Sequence, residues 1–381
     1  MQQFASLPPL SLYVHIPWCV RKCPYCDFNS HEAREKIPEE KYIDALLRDL
    51  EQDLPRAWGR PVYSIFIGGG TPSLFSPEAI DRLLSGIRAR LPLDQNIEVT
   101  LEANPGTVDF DHFKGFRAAG INRLSIGIQS FDEEKLKALG RIHGREEAQR
   151  AAEAARAAGF DNFNLDLMFG LPDQSVDQAL ADVRTAIDLK PSHLSVYQLT
   201  IEPNTLFHAK PPTLPDDDIT WDMQNRLQAE LAAAGYLQYE VSAYAKAGHE
   251  CRHNLNYWQF GDYLGIGAGA HAKITDARSI TRLWKVKQPN EYLNTAGTPQ
   301  NIGGENKLSR EHTVTEFMMN ALRLNRGFPS RLFAERTGMP ISAVSKSLEE
   351  AERKGLIVWN TETLGPTQTG LRYLNNLIEL F

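Results

Sequence analysis

The stretch SLYVHIPWCVRKCPYCDF, residues 11–28, joins a β-rich run to most of the chain's sulfur. The run SLYVHIP ends at a proline, and three of the four cysteines follow within eight residues, at Cys19, Cys23 and Cys26. Four cysteines in 381 residues make no disulfide framework, and in a reducing compartment such clustering favours a metal site. The C-x-x-x-C-x-x-C spacing suits a cubane iron–sulfur cluster, in which three thiolates close three corners and leave the fourth iron open to an exogenous nitrogen–oxygen chelate. Zinc is the rival reading. It wants four ligands, commonly in two separated pairs, and the fourth would have to come from far along the chain, from Cys251 or a histidine.

Six β-rich runs, SLYVHIP, SIFIGGGTPS, EVTLEANPGT, RLSIGIQSF, FNLDLMFGLP and HLSVYQLTIEPNT, alternate with amphipathic stretches such as KYIDALLRDLEQDL and GREEAQRAAEAARAAG. Runs that begin roughly 25 to 50 residues apart with helical patterns between them predict parallel strands joined by crossover helices. The expected fold class is therefore α/β: a partial parallel (β/α)6 barrel within residues 1–210, an accessory region over 211–305, and a further domain over 306–381. The acidic run in KPPTLPDDD, residues 210–218, reads as a helix N-cap at the barrel exit rather than a metal site. The last segment reads as three helices, a short hairpin and a closing helix, an α+β arrangement similar to a winged helix. Its ten Lys or Arg over 307–381 against eight Asp or Glu are too balanced for DNA recognition, so a lid or partner-docking role is expected.

Composition narrows the class further. Hydrophobic residues at 42% and charged residues at 23% are ordinary for a globular protein, and no apolar run approaches the roughly 20 residues of a membrane span. No integral membrane segment is expected, only transient contact with a membrane surface. A net charge of −7 argues against a nucleic-acid partner. The opening MQQFASLPPL carries no basic leader or cleavage pattern, which predicts a cytoplasmic location.

Glycine and polar residues gather at the C-terminal ends of the predicted strands, where βα loops build barrel active sites. In GGGTP, residues 68–72, the glycines let backbone approach a ligand closely. Glu102, Gln129, Arg141 and Asp166 stand on successive rims and can bind hydroxyl, ammonium and carboxylate groups. The cysteine triplet, with aromatic Tyr25 before its last member, resembles the radical S-adenosylmethionine (radical SAM) superfamily. The resemblance implies a radical SAM barrel and a [4Fe-4S] cluster on Cys19, Cys23 and Cys26, with the amino and carboxylate groups of S-adenosylmethionine on the open iron. It also implies reductive cleavage of the sulfonium to a 5'-deoxyadenosyl radical.

Over nearly its whole length the chain resembles one group of that superfamily, the coproporphyrinogen dehydrogenases and haem chaperones (HemN/HemW). By that resemblance Tyr13, Gly69, Gly70, Thr71, Glu102, Gln129, Arg141 and Asp166 are expected to contact S-adenosylmethionine. The dehydrogenases have a further cysteine where this chain has Phe28, and a longer segment before the first strand. Both departures point to the chaperone branch, as does HNLNYW, residues 253–258, which matches its HNxxYW motif. In that motif His253 is expected to ligate haem iron while Tyr257 and Trp258 offer flat apolar surface. Cys251 reads as a buried inert thiol. His271, closing the glycine-rich run over residues 261–271, is a lesser candidate, and His15 and His143 read equally as proton-handling or structural groups.

The resulting expectation is a haem chaperone with [4Fe-4S], S-adenosylmethionine and haem as its cofactors and cargo. It would pass haem to an acceptor apoprotein, a respiratory enzyme being the candidate, and would lack coproporphyrinogen dehydrogenase activity. The alternative is an oxygen-independent coproporphyrinogen III dehydrogenase acting by radical oxidative decarboxylation. An RNA-modifying radical enzyme fits the acidic charge poorly.

Overall fold

The computed structural model describes residues 3–57 and 59–381. In β1 (Leu10–Ile16), Leu10, Leu12, Val14 and Ile16 are buried in the main core, while the intervening Ser11, Tyr13 and His15 take the opposite face. β2 (Val62–Gly69), β3 (Leu93–Ala103), β4 (Arg123–Gln129), β5 (Phe163–Phe169) and β6 (His193–Gln198) follow in the same spatial order, all parallel.

Strands of a parallel barrel covered on both faces usually read as continuous apolar runs. These alternate instead. Leu124, Ile126 and Ile128 of β4 and Leu165 and Leu167 of β5 lie in the main core, and Arg123, Ser125, Gln129, Asn164 and Asp166 alternate with them in sequence. A strand places successive side chains on opposite faces, so the inner face of this barrel is polar and the outer face apolar.

The crossovers α1 (Glu39–Ala57), α2 (Pro77–Arg88), α3 (Phe110–Ala119), α4 (Arg145–Ala157) and α5 (Val176–Asp188) cover the outer face, and α6 (Asp217–Ala233) follows β6. Their ends carry their own signals: Ser175 and Gln178 form a capping box at α5, and Asp216 accepts the Ile219 N–H at 2.8 Å to start α6. The acidic run at residues 216–218 is thus a helix start, as the sequence suggested.

Residues 211–305, expected as an accessory region, build both edges of the same sheet. β7 (Ala243–Ala245) pairs antiparallel with β6, while β8 (Asp262–Ile266) pairs parallel with β1. Beyond β8 come β9 (His271–Thr275), β10 (Ile280–Lys285) and β11 (Ile302–Lys307), each antiparallel to its neighbour. The C-terminal segment folds as helices Arg310–Ala321, Arg331–Thr337 and Ser345–Arg353 beside a small antiparallel sheet of Phe328–Pro329, Thr363–Pro366 and Ile357–Trp359. That is the order of a winged helix. Its core of Phe317, Phe333, Leu348 and Leu364 takes in Phe260 and Ile280 from the barrel side, which fastens the two parts together.

One buried ionic group locks the added strands to the barrel. Lys285 of β10 lies 2.5 Å from Asp49 and 2.7 Å from Asp53, both on α1. Asp49 also accepts hydrogen bonds from Tyr292 and Asn301, each at 2.8 Å, and from the Gly267 N–H at 3.1 Å. Arg56 also reaches Asp53, at 3.4 Å, but Lys285 is the cation beside Asp49, so removing it leaves that buried carboxylate without a counter-charge. Lys285→Met is expected to cost about 3–5 kcal/mol of stability, read as a lower urea midpoint; an unchanged midpoint would contradict this role.

Candidate functional site

β1 ends at Pro17, and the cysteine loop that follows is tied down at several points. Gly70 N–H donates to Ile16 O and Thr71 N–H to Trp18 O, both at 2.7 Å, and Phe207 N–H donates to Pro24 O at 3.0 Å. Asn29, at the far end of the loop, donates to Ala268 O and Lys287 O at 2.9 Å, and its own carbonyl lies 2.9 Å from His15 Nε2. The glycine run is demanded by this close packing. Gly69 has φ +117°, and a Cβ at Gly70 would fall 2.5 Å from Trp18 O.

Cys19, Cys23 and Cys26 are free, partly exposed thiols at the mouth of a cavity of ≈ 440 Å³. Burial raises the pKa of Cys19 and Cys26, against hydrogen bonds from Thr71 to Cys19 and from the Phe28 backbone to Cys26. Among the described residues no three His, Cys, Asp or Glu side chains converge closely enough for a single ion. A cubane spaces its thiolates more widely than one tetrahedral ion does, so the donor set fits a three-corner cluster. The zinc reading loses its cysteine candidate for a fourth ligand: Cys251 is fully buried, its Sγ 3.5 Å from Glu98 Oε1, and its thiol is pushed up to about 12 by burial.

The strand ends supply the other walls, and Tyr25, Gly69, Gly70, Thr71, Glu102, Gln129, Arg141 and Asp166 all line this cavity. Glu102 accepts the Gly69 N–H at 3.0 Å, yet burial, with the Asp166 charge adding to it, pushes its carboxyl up to about 8. Asp166 is also raised by burial, in spite of hydrogen bonds from Asn164 at 2.7 Å and Ser125 at 3.2 Å. Gln129 sits at φ +72°, where the β4–β5 register shifts, and its Oε1 accepts the Tyr197 hydroxyl at 2.8 Å. A strained, bulged strand end that aims a side chain is a common device of ligand sites. Arg141 donates to Gly127 O at 2.7 Å and reaches Cys23 Sγ at 3.6 Å, leaving its buried Nε without a partner among the described residues.

Two expected contacts are not brought to the cavity. Strand register stacks the inner side chains in layers: Ser11, Ser64 and Glu98 lie at one level, Tyr13, Phe66 and Thr100 at the next, and Glu102 beyond them towards the cysteines. Tyr13 therefore sits one layer below the cavity, its hydroxyl 3.0 Å from His15 and its ring beside Phe66 and His253.

His253 lies lower still. It belongs to α7 (Arg252–Trp258), which plugs the N-terminal end of the barrel. The N–H groups of Arg252 and His253 each donate to Glu98 at 3.2 Å, and His253 Nδ1 lies 3.2 Å from Ser64 Oγ. The imidazole is 3% exposed and stacked on Phe66, and burial lowers its pKa to about 3. The residue expected to ligate haem is thus buried at the closed end, away from the cavity. His271, on β9, packs by Trp284, and His143 is buried with Nε2 3.0 Å from Ile128 O; neither lines the cavity.

The sequence reading passed over Ser125, Ser195 and Tyr197, which line the cavity beside the expected residues, and Asn164, which steadies Asp166 from below. Period-two polar positions inside otherwise apolar strands were the available signal.

Residues 13–186 match the radical SAM superfamily and residues 308–373 the HemN C-terminal domain. Fold, cysteine loop and match together place the chain in the radical SAM class, whose members carry a [4Fe-4S] cluster and S-adenosylmethionine. The chain is 52% identical over 378 residues to "Heme chaperone HemW" of Escherichia coli, spanning 99% of both chains. It is 52% identical over 381 residues to that of Haemophilus influenzae (99% and 98% covered) and 35% identical over 353 residues to that of Bacillus subtilis (91% and 92%). It belongs to the HemW family. The solved coproporphyrinogen III oxidase HemN of Escherichia coli shares the fold, with a TM-score of 0.83 at 24% identity over 98% of this chain and 90% of that one.

The Glu102 carboxyl gives the cavity a pH dependence. A ligand that meets Glu102 with hydroxyl or cationic donors binds the ionised form, so affinity for S-adenosylmethionine is expected to rise as pH climbs through 8. Calorimetric titration between about pH 6.5 and 9 should show that rise in the natural chain and a flatter profile in Glu102→Gln. Parallel profiles would contradict the assignment.

Proposed function

We propose that this protein is a haem carrier that binds haem and hands it to an acceptor apoprotein, with a [4Fe-4S] cluster on Cys19, Cys23 and Cys26 and S-adenosylmethionine at the open iron. The observation that carries the reading is the end-to-end likeness, 52% identity over 99% of the chain, to proteins named as haem chaperones. When bound and reduced, the cluster can deliver an electron to the sulfonium of S-adenosylmethionine. The chain's own residues do the positioning. The backbone at Gly69 and Gly70 admits the ligand closely, Glu102 and Asp166 accept its donors, Gln129 is held by Tyr197, and Arg141 bridges the β4 end and the cysteine loop. His253 serves as part of the basal plug.

Phe28 is 59% exposed at the cavity mouth, at the place where the dehydrogenase pattern has a cysteine, and this favours the carrier over the dehydrogenase. We take the acceptor to be a respiratory haem enzyme reached from the cytoplasm. No helix among the described residues is long and apolar enough to cross a membrane, so contact with a membrane-bound acceptor would be made from the surface.

Anaerobic reconstitution with dithionite and S-adenosylmethionine, offering haem and coproporphyrinogen III in parallel, tests the reading. Stoichiometric haem uptake by the Soret band, with no protoporphyrinogen formed, is expected. Decarboxylated product would replace the carrier by the dehydrogenase.

A further inference from the structure

We propose that the haem docks on the outer face of the cysteine loop, in a groove of ≈ 680 Å³ that backs onto the cluster cavity. This placement rests on the carrier reading above. The groove and the cavity share Arg21, Cys23, Cys26 and Gly140 as a common wall, so a ligand in one lies directly behind the cluster loop of the other.

The groove has the chemistry of an amphipathic dianion's site. Arg21, Lys22 and Lys137 line it, no acidic residue does, and none of the three forms an ion pair among the described residues. Among the described residues Lys22 makes one long hydrogen bond, 3.3 Å to Phe28 O. In a chain of net charge −7, three uncommitted cations around one depression leave a local positive field. Between them the surface is apolar: Pro24 and buried Phe207 form the floor, and Leu206 stands on the rim 59% exposed.

A porphyrin carries two propionates on one edge and broad apolar faces, so its edge meets the cations and one face meets Leu206 and Phe207. With Cys23 and Cys26 committed to the cluster, the groove spends no imidazole or free thiolate on the haem iron. The outer face of the porphyrin stays open to the axial ligands of an acceptor, which is what release requires.

Titration of haemin into the reconstituted full chain, followed by the Soret band, tests the site. R21E/K22E/K137E is expected to weaken binding about tenfold, three exposed charge contacts each contributing a factor of two or so. K137E/L206D leaves the cysteine loop untouched and is expected to weaken it several-fold. On the natural chain, the dimethyl ester of haem is expected to bind more weakly than haem itself. Equal haem affinity in the natural chain and both variants would overturn the groove while leaving the carrier reading intact. Absence of haem uptake by the natural chain would overturn the carrier reading and the groove together.

Discussion

Three thiolates on one loop can close three corners of a four-iron cubane and no more, and the barrel is organised around the corner that stays open. The loop leaves β1 at Pro17 and is fixed to β2 by the Gly70 and Thr71 amides, to the β8–β9 turn by Asn29 and to the segment after β6 by Phe207. Those ties hold the sulfurs over the C-terminal mouth of a sheet whose inner face is polar. Charged and amide groups there cost free energy unless they are partnered. At the closed end several are met within the chain: Glu98 caps α7, and His193 lies 2.7 Å from Asn164 and 2.9 Å from Tyr239. At the open end Glu102 and Asp166 are held above their ordinary carboxyl range, and Arg141 keeps a free N–H. There a ligand can supply the partners that these groups lack.

The barrel and the cavity were largely legible in the sequence because their signals are local. Each strand and its following loop lie in one short run, so GGGTP, Glu102, Gln129, Arg141 and Asp166 could be assigned to rims without knowing the packing. What escaped was long-range. Residues 262–266 of β8 pair with residues 10–14 of β1, some 250 positions away, and nothing in GDYLGIGAG announces that partner. Depth escaped as well. The alternation in LSLYVHI tells that Ser11, Tyr13 and His15 share a face, but the register that sets Tyr13 level with Phe66, below Glu102, is a property of the assembled sheet. The depth of His253 was hidden for the same reason: a motif rich in ligand-capable groups packs as a plug because Glu98 and Ser64 receive it from other strands.

This arrangement separates the two ends of the barrel. The basal end is buried and aromatic, and it is where the C-terminal domain is anchored through Phe260. The cluster end carries the cavity and, on the other side of one loop, a cationic groove. A carrier that couples cofactor state to cargo has a short path between them, since any shift of the cysteine loop moves a wall of both.

Everything in this arrangement turns on a single incompletely coordinated iron. Mössbauer spectroscopy of the chain, reconstituted anaerobically with isotopically enriched iron and measured with and without S-adenosylmethionine, reads it directly. One iron of the cubane is expected to change its signal on addition while the other three keep theirs. Four irons that all ignore S-adenosylmethionine, or reconstituted protein that holds no cubane, would contradict it.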